Sequence, residues 1–238
     1  MGQMTLHPSS SRGQADHGWL QSRHSFSFAG YFDPHRIRFG ALRVLNDDKV
    51  APGMGFGEHP HDNMEIISIP LSGALEHRDS MGNRTVIRHG DIQVMSAGTG
   101  VRHSEYNHSR TEPVEFLQIW VFPDTRNVPP RYDQVTLDEQ DRRNRLQQVV
   151  SPNPDAEGVW IHQSAWFHLG SFDKNIETTY VLRQSNNGVY AFVIRGAFNV
   201  NDTYLSERDG AGITETGTIR LQSLSDDAEI LLMEVPML

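Results

Sequence analysis

Short runs rich in β-branched and aromatic residues, each closed within a few positions by Gly, Pro, Asn or Asp, fill this 238-residue chain and leave little room for helices. Strands are expected at Ala41–Leu45, Met64–Ile69, Ala74–Arg78, Thr85–Arg88, Ile92–Met95 and Val114–Phe122. A second set follows at Val159–His162, Thr178–Leu182, Val189–Ile194, Ala197–Val200, Thr218–Leu221 and Ala228–Val235. Between the sets, Pro123, Pro129 and Pro130 make 123–135 read as a linker, and Leu137–Leu146 is the best helix candidate. Asp138/Arg142 and Asp141/Arg145 have the i,i+4 spacing of paired charges on a solvated helix face.

The two sets repeat one another. Ile69–Leu75 is an apolar strand, a turn at Gly73 and a return strand; Val193–Val200 has the same shape around Gly196. Gly90-Asp91 and Asp209-Gly210 follow at similar distances, and each copy closes on a long apolar strand. The expected fold is all-β: two similar antiparallel β-barrels, an N-terminal one over 1–134 and a C-terminal one over 153–238. A linker with a short helix, 135–152, joins them.

Composition removes several classes of function. Thirty acidic residues against 21 basic give a net charge of −9, which opposes binding to the phosphates of nucleic acid. No cysteine is present, so thiolate chemistry and Cys-ligated metals are excluded, and any metal must be held by nitrogen and oxygen. No apolar run approaches the ~18 residues of a membrane span. A cytoplasmic protein without membrane or nucleic-acid partners is expected.

The chemistry concentrates in two segments. His59 and His61 are two apart, so on an extended backbone both rings leave one face. With 12 histidines in the chain, roughly 0.6 such pairs arise by chance, so this motif alone says little. A second dyad, His103 and Glu105, has the same spacing behind a Gly-rich turn, and the hairpin around Gly73 lies between the two. Folding that hairpin brings the dyads together. Three imidazoles and one carboxylate suit iron, manganese, copper, nickel or zinc, and leave open positions on an octahedral ion. Other residues have plainer readings. His77 and His89 are expected at the surface or hydrogen-bonded in the core, and His162 and His168 as structural. Phe26, Phe28, Phe56 and Trp120 are expected in the core. Glu65 is weighed as a partner for the free N–H of a ligating imidazole.

Gly53-x5-His59-x-His61-x3-Glu65 resembles the first signature of the cupin superfamily, with Gly73 one residue late. The second signature departs more: Ser96 stands where proline is usual, four residues separate Gly98 from His103, and the glutamate is Glu105. These departures, with His17–Gln21, His24–Asp33, Gly40–Asp48, Gly55–His61, Met95–Glu105 and Leu117–Trp120, resemble the pirins, most closely the bacterial pirin-like quercetin 2,3-dioxygenases.

The resemblance implies a bicupin, each barrel a double-stranded β-helix, with one divalent metal held by His59, His61, His103 and Glu105 in the N-terminal barrel. Counting from Gly196 and Gly210, the matching positions of the C-terminal barrel fall on Leu182, Gln184, Ser223 and Ser225, so that barrel is expected to lack a metal. It further implies a dioxygenase that uses Fe(II), or else Ni, Mn, Cu or Zn, to cleave a flavonol such as quercetin with O2 and release carbon monoxide. Glu105 is the candidate base. The alternatives are a redox-sensing protein that modulates a protein partner, and a cupin acting on another small aromatic. A monomer is expected.

Overall fold

The computed structural model describes residues 2–238; Met1, in the segment assigned to the first barrel, lies outside them. Twelve strands lie within residues 3–136: β1 (Gln3–His7), β2 (Gly13–Asp16), β3 (Leu20–His24), β4 (Leu42–Val50), β5 (Gly55–His61), β6 (Glu65–Ser72), β7 (Ala74–Asp79), β8 (Arg84–Arg88), β9 (Asp91–Ser96), β10 (Val101–Asn107), β11 (Val114–Val121) and β12 (Arg131–Thr136). Ten follow: β13 (Leu146–Ser151), β14 (Val159–Trp160), β15 (Trp166–Phe172), β16 (Glu177–Val181), β17 (Asn187–Arg195), β18 (Phe198–Val200), β19 (Thr203–Leu205), β20 (Gly210–Thr214), β21 (Thr218–Ser223) and β22 (Ala228–Pro236).

Each half is a seven-stranded sheet facing a four-stranded one. In the first half the orders are β12-β9-β6-β11-β4-β3-β2 and β5-β10-β7-β8; in the second they are β1-β20-β17-β22-β15-β13-β14 and β16-β21-β18-β19. The two orders correspond strand for strand, so the sequence repeat is a repeat of topology. Its pivot is the glycine turn. Gly73 and Gly196 have φ of 73° and 75°, and a Cβ would meet Pro113 O at 2.7 Å or Ser225 Oγ at 2.3 Å.

The large sheets also pack against each other. Leu117, Ile119, Ile67 and Val94 of the first join Phe167, Tyr190, Phe192, Leu231 and Met233 of the second in one continuous core. Central strands are therefore covered on both faces, which is why β17 and β22 are apolar at nearly every position instead of alternating. The halves are further bound by their edge strands. β1 pairs antiparallel with β20 in the second half's sheet, and β12 pairs antiparallel with β9 in the first.

Two expectations need correction here. The segment 123–135 is not wholly linker: Pro129 and Pro130 end the irregular stretch, and Arg131–Thr136 forms an edge strand whose half-exposed polar residues lack an apolar alternation. The expected helix at Leu137–Leu146 is one 3-10 turn, Glu139–Arg142. Asp138 caps that turn, accepting from Gln140 N at 2.9 Å, and Arg143 reaches Asp173 instead of continuing a helical face. Asn144 then enters the left-handed region at φ 56° and ends the turn.

The interiors of the two halves differ. Counted from the glycine turns, strand pairing carries His59, His61, His103 and Glu105 onto Tyr180, Leu182, Ile219 and Leu221. These replace the positions projected from sequence, because loop lengths and a bulge between His103 and Glu105 shift the count. Phe172, Phe198, Leu205 and Ile230 fill the rest of the second interior. One carboxylate is enclosed there. Glu234 is fully buried and accepts from Tyr180 Oη (2.6 Å), Arg183 N (2.9 Å), Gln184 N (3.0 Å) and Asn187 Nδ2 (2.8 Å), pinning the loop after β16. Glu234→Leu strands these donors and is expected to cost about 4 kcal/mol in urea unfolding. A loss below about 1 kcal/mol contradicts the role.

Candidate metal centre

The four-stranded sheet of the first half carries the chemistry. β10 lies between β5 and β7, with His103 opposite His59 on one side and Glu105 opposite His77 on the other. His59 and His61 leave the same face of β5, and their rings meet that of His103: centroids are 4.8 Å (59–61), 4.4 Å (59–103) and 4.9 Å (61–103) apart. One nitrogen of each lies within 4.8 Å of the others, close enough for one ion.

The hydrogen bonds assign the donors. His59 Nδ1 lies 2.8 Å from Gly57 O, which only accepts, so Nδ1 carries the proton and Nε2 has the free lone pair. His103 is buried and neither ring nitrogen has a protein partner. Burial, then the neighbouring imidazoles, push His61 down to about 4 and His103 down to about 3, so both rings are neutral donors at neutral pH. A buried imidazole with both nitrogens unspent, beside two more of matching reach, fits a divalent cation.

Glu105 is buried, accepting from Ser68 Oγ at 3.2 Å and Gln118 Nε2 at 2.9 Å. It clusters within 4.8 Å of His103 and His77, rather than with all three histidines at once. His77 is the hydrogen-bonded core residue expected from sequence. Its Nε2 donates to Asp79 Oδ2 at 3.0 Å and its Nδ1 accepts from Gln93 Nε2 at 3.3 Å, so both nitrogens are used.

A cavity of about 570 Å3 opens onto His59, His61, His103 and Glu105. Phe28, Phe56 and Trp120, expected in the core, are walls of this cavity; Phe26 alone of the four is core. Trp120 stands edge-on to His61 at 4.9 Å and to Phe28 at 5.4 Å. Glu65 does not orient a ligating imidazole. It hydrogen-bonds with Ser96 Oγ at 2.7 Å and with His162 Nδ1 at 3.2 Å, a contact from one half to the other that also gives His162 its partner.

Sequence reasoning missed a row of polar residues. Gln93, Ser68, Gln118, Asn46 and His24 lie side by side across β9, β6, β11, β4 and β3, all buried on the inner face. The matching row of the second half reads Ala211, Ala191, Leu232, His168 and Gln148. Thus the fold itself needs no polar group where Gln93, Ser68 and Gln118 stand, and these are the three that hold His77 and Glu105. The available signal was a lone amide or hydroxyl inside an apolar strand, as in Ile92-Gln93-Val94.

Asp48 lies beside this row, enclosed and hydrogen-bonded by Ser22 Oγ. Burial, with Asp47 and Glu105 adding repulsion, pushes its carboxyl up to about 7 from 3.8. The folded chain therefore keeps a proton that the unfolded chain releases between about pH 4 and 7, so stability falls as pH rises through that window. Asp48→Asn removes the titration. In metal-free protein, urea unfolding at pH 5 and pH 8 is expected to show a decline of up to about 3 kcal/mol for the wild type and a much flatter profile for the variant. Equal pH dependence in both contradicts the assignment.

Comparison with known proteins agrees with this architecture. The Pirin family profile matches residues 5–121, and the profile described as quercetinase C-terminal cupin domain matches 148–235. A protein of Escherichia coli K12 named quercetin 2,3-dioxygenase is 40% identical over 231 residues, 97% of this chain and 98% of that protein. The crystal structure of YhhW from Escherichia coli superimposes with a TM-score of 0.95 at 39% identity, covering 99% of both chains. A second structure, described as the bacterial pirin YhhW in complex with nickel(II), gives 0.93 at 38% identity over 99% of this chain and 100% of that one.

Proposed function

From the premise that this chain belongs to the pirin family and has its bicupin fold, we propose that it is a metal-dependent dioxygenase that cleaves a flavonol such as quercetin with O2 and releases carbon monoxide. The observation that carries this reading is the convergence of His59, His61 and His103, the last with both nitrogens unspent, on an aromatic-walled cavity. Its volume, about 570 Å3, falls in the ~300–1,000 Å3 range of small-molecule sites. Relatives support the same reading by name: the Escherichia coli K12 protein is called quercetin 2,3-dioxygenase, and YhhW was crystallised with nickel(II).

In the proposal His59, His61, His103 and Glu105 hold one divalent ion, Fe(II) by preference; with any divalent ion, three neutral imidazoles and one carboxylate leave the site near +1. The ion, when bound, would acidify a ligating hydroxyl and supply the electron steps that dioxygen needs. The protein's own residues do the remainder. Glu105, held by Ser68 and Gln118, accepts the proton of the substrate's 3-hydroxyl. Trp120 and Phe28 form an aromatic wall against which a planar ring system can lie, with Trp19 and Phe56 in edge contact at 5.4 Å on the same cavity.

The test is oxygen uptake with carbon monoxide detection, after anaerobic loading with Fe(II) or Ni(II) and addition of quercetin. One CO released per O2 consumed, dependent on the metal, is the expected result. A fully metal-loaded protein that consumes no oxygen with quercetin contradicts the proposal. The chain is read as a monomer acting on small molecules in the cytoplasm; among the described residues no helix is long and apolar enough to cross a membrane.

A further inference from the structure

The polar row on the inner face divides into two parts. Ser68 and Gln118 spend their donors on Glu105, and Gln93 spends its donor on His77. Asn46 Oδ1 and His24 Nδ1, like the amide oxygens of Gln93 and Gln118, have no partner among the described residues; Asn46 and His24 are each about 97% buried and line the cavity. A buried acceptor without a donor costs about 1–3 kcal/mol, and on a cavity wall a ligand that donates to it removes that cost.

Spacing says what part of a ligand would reach these atoms. Gln118, which holds Glu105, is two strands from His24, about 10 Å at ordinary strand separation. The wall between the two ends is aromatic: His61, Trp120, Phe28 and His24 follow one another edge to face, at 4.9, 5.4 and 5.2 Å. A ligand with one polar group beside Glu105 therefore meets Asn46 about 5 Å and His24 about 10 Å farther along a flat apolar body.

We infer that Asn46 and His24 form a subsite that reads hydroxyl groups on the aromatic ring farthest from the metal centre, selecting planar ligands whose remote ring is a phenol or catechol. Phenolic O–H groups donate to Asn46 Oδ1 and to the unspent His24 nitrogen, and the ring lies against Phe28. The inference rests on the dioxygenase reading only for the identity of the near end of the ligand; the remote subsite stands on its own unpartnered atoms.

The experiment measures binding, not turnover. Metal-loaded protein is titrated without oxygen, by quenching of tryptophan fluorescence, with three flavonols carrying no, one or two hydroxyls on the 2-aryl ring. Wild type is expected to gain about tenfold in affinity from none to two. Asn46→Leu and His24→Leu, separately, are expected to flatten this ladder to within about twofold. Asn46→Leu is close in size and removes an unpaired acceptor, so its thermal midpoint should match or exceed that of wild type. A ladder that persists in both variants, or is absent from wild type, or failure of all three compounds to bind, overturns the subsite. A ladder in protein that consumes no oxygen upholds the subsite and overturns the dioxygenase reading instead.

Discussion

Replacing His59 and His61 together by alanine is expected to reduce bound metal from one ion per chain to none measurable, and to remove metal-dependent oxygen uptake with it. Loss of a residue that merely hydrogen-bonds to a metal ligand costs about 10–100-fold in affinity. Loss of two direct nitrogen donors out of three converging imidazoles must exceed that range. The fold should not suffer. Both side chains are half-exposed on β5, and among the described residues the only hydrogen bond either one makes is the local one from His59 to Gly57. Metal-free variant and metal-free wild type should therefore unfold at the same temperature. Added metal should raise the midpoint of wild type alone, because a ligand that binds only the folded state stabilises it by mass action. Elemental analysis and a thermal scan with and without metal read both effects. Retention of a full equivalent of metal by the double variant would mean that the ion sits elsewhere.

Glu105→Gln is expected to leave most of the metal in place and to lower turnover by about 10²–10⁴, the contribution typical of a positioned base. The substitution preserves size and hydrogen-bonding shape while removing the carboxylate's capacity to take a proton. Its surroundings make the experiment interpretable. Ser68 and Gln118 hold the carboxylate from two neighbouring strands, so the side chain of the variant stays near its original position. Gln118→Leu installs the residue found at the matching place of the second half, Leu232, and should produce a smaller loss by loosening Glu105 without neutralising it. If Glu105→Gln turns over like wild type with full metal occupancy, the proton goes elsewhere. If metal and activity vanish together, Glu105 acts chiefly as a ligand.

Local signals carried some of this far and not the rest. The i,i+2 spacing of His59/His61 and His103/Glu105 is a strand's own period, so one face per dyad could be read directly, and β5 and β10 bring the three imidazoles together. The glycine turns at 73 and 196 marked the repeat because only a few residue types accept their φ. What stayed hidden depends on partners far along the chain. Arg131–Thr136 is a strand because β9 offers it an edge, not because its residues alternate. Glu65 meets His162, 97 positions away, and no spacing announces that. Asn46 opens the polar run Asn46–Asp48 just past the expected strand Ala41–Leu45, and only the register sets it opposite Gln118. Trp120 and Phe28 have core composition, and only the cavity beside them makes them walls.

Two interiors on one topology explain the asymmetry of the molecule. In the first half, polar residues of the large sheet support a histidine cluster beside an open cavity; in the second, Ala191, Ala211, Leu221 and Leu232 with Phe172 and Phe198 close the same space. The outer faces of both large sheets contribute to one shared core. The second half thus supplies packing for the sheet that positions the site, and its removal would expose that face rather than free an independent unit.

The central claim is that one metal ion per chain sits among His59, His61, His103 and Glu105. Crystals grown from metal-loaded protein, with diffraction recorded on either side of the metal's absorption edge, test it directly. The account predicts a single anomalous peak per chain, within bonding distance of nitrogens of the three histidines and of a Glu105 oxygen. A peak centred on His77, a peak in the second half, or no peak at the histidine cluster in fully loaded protein would contradict it.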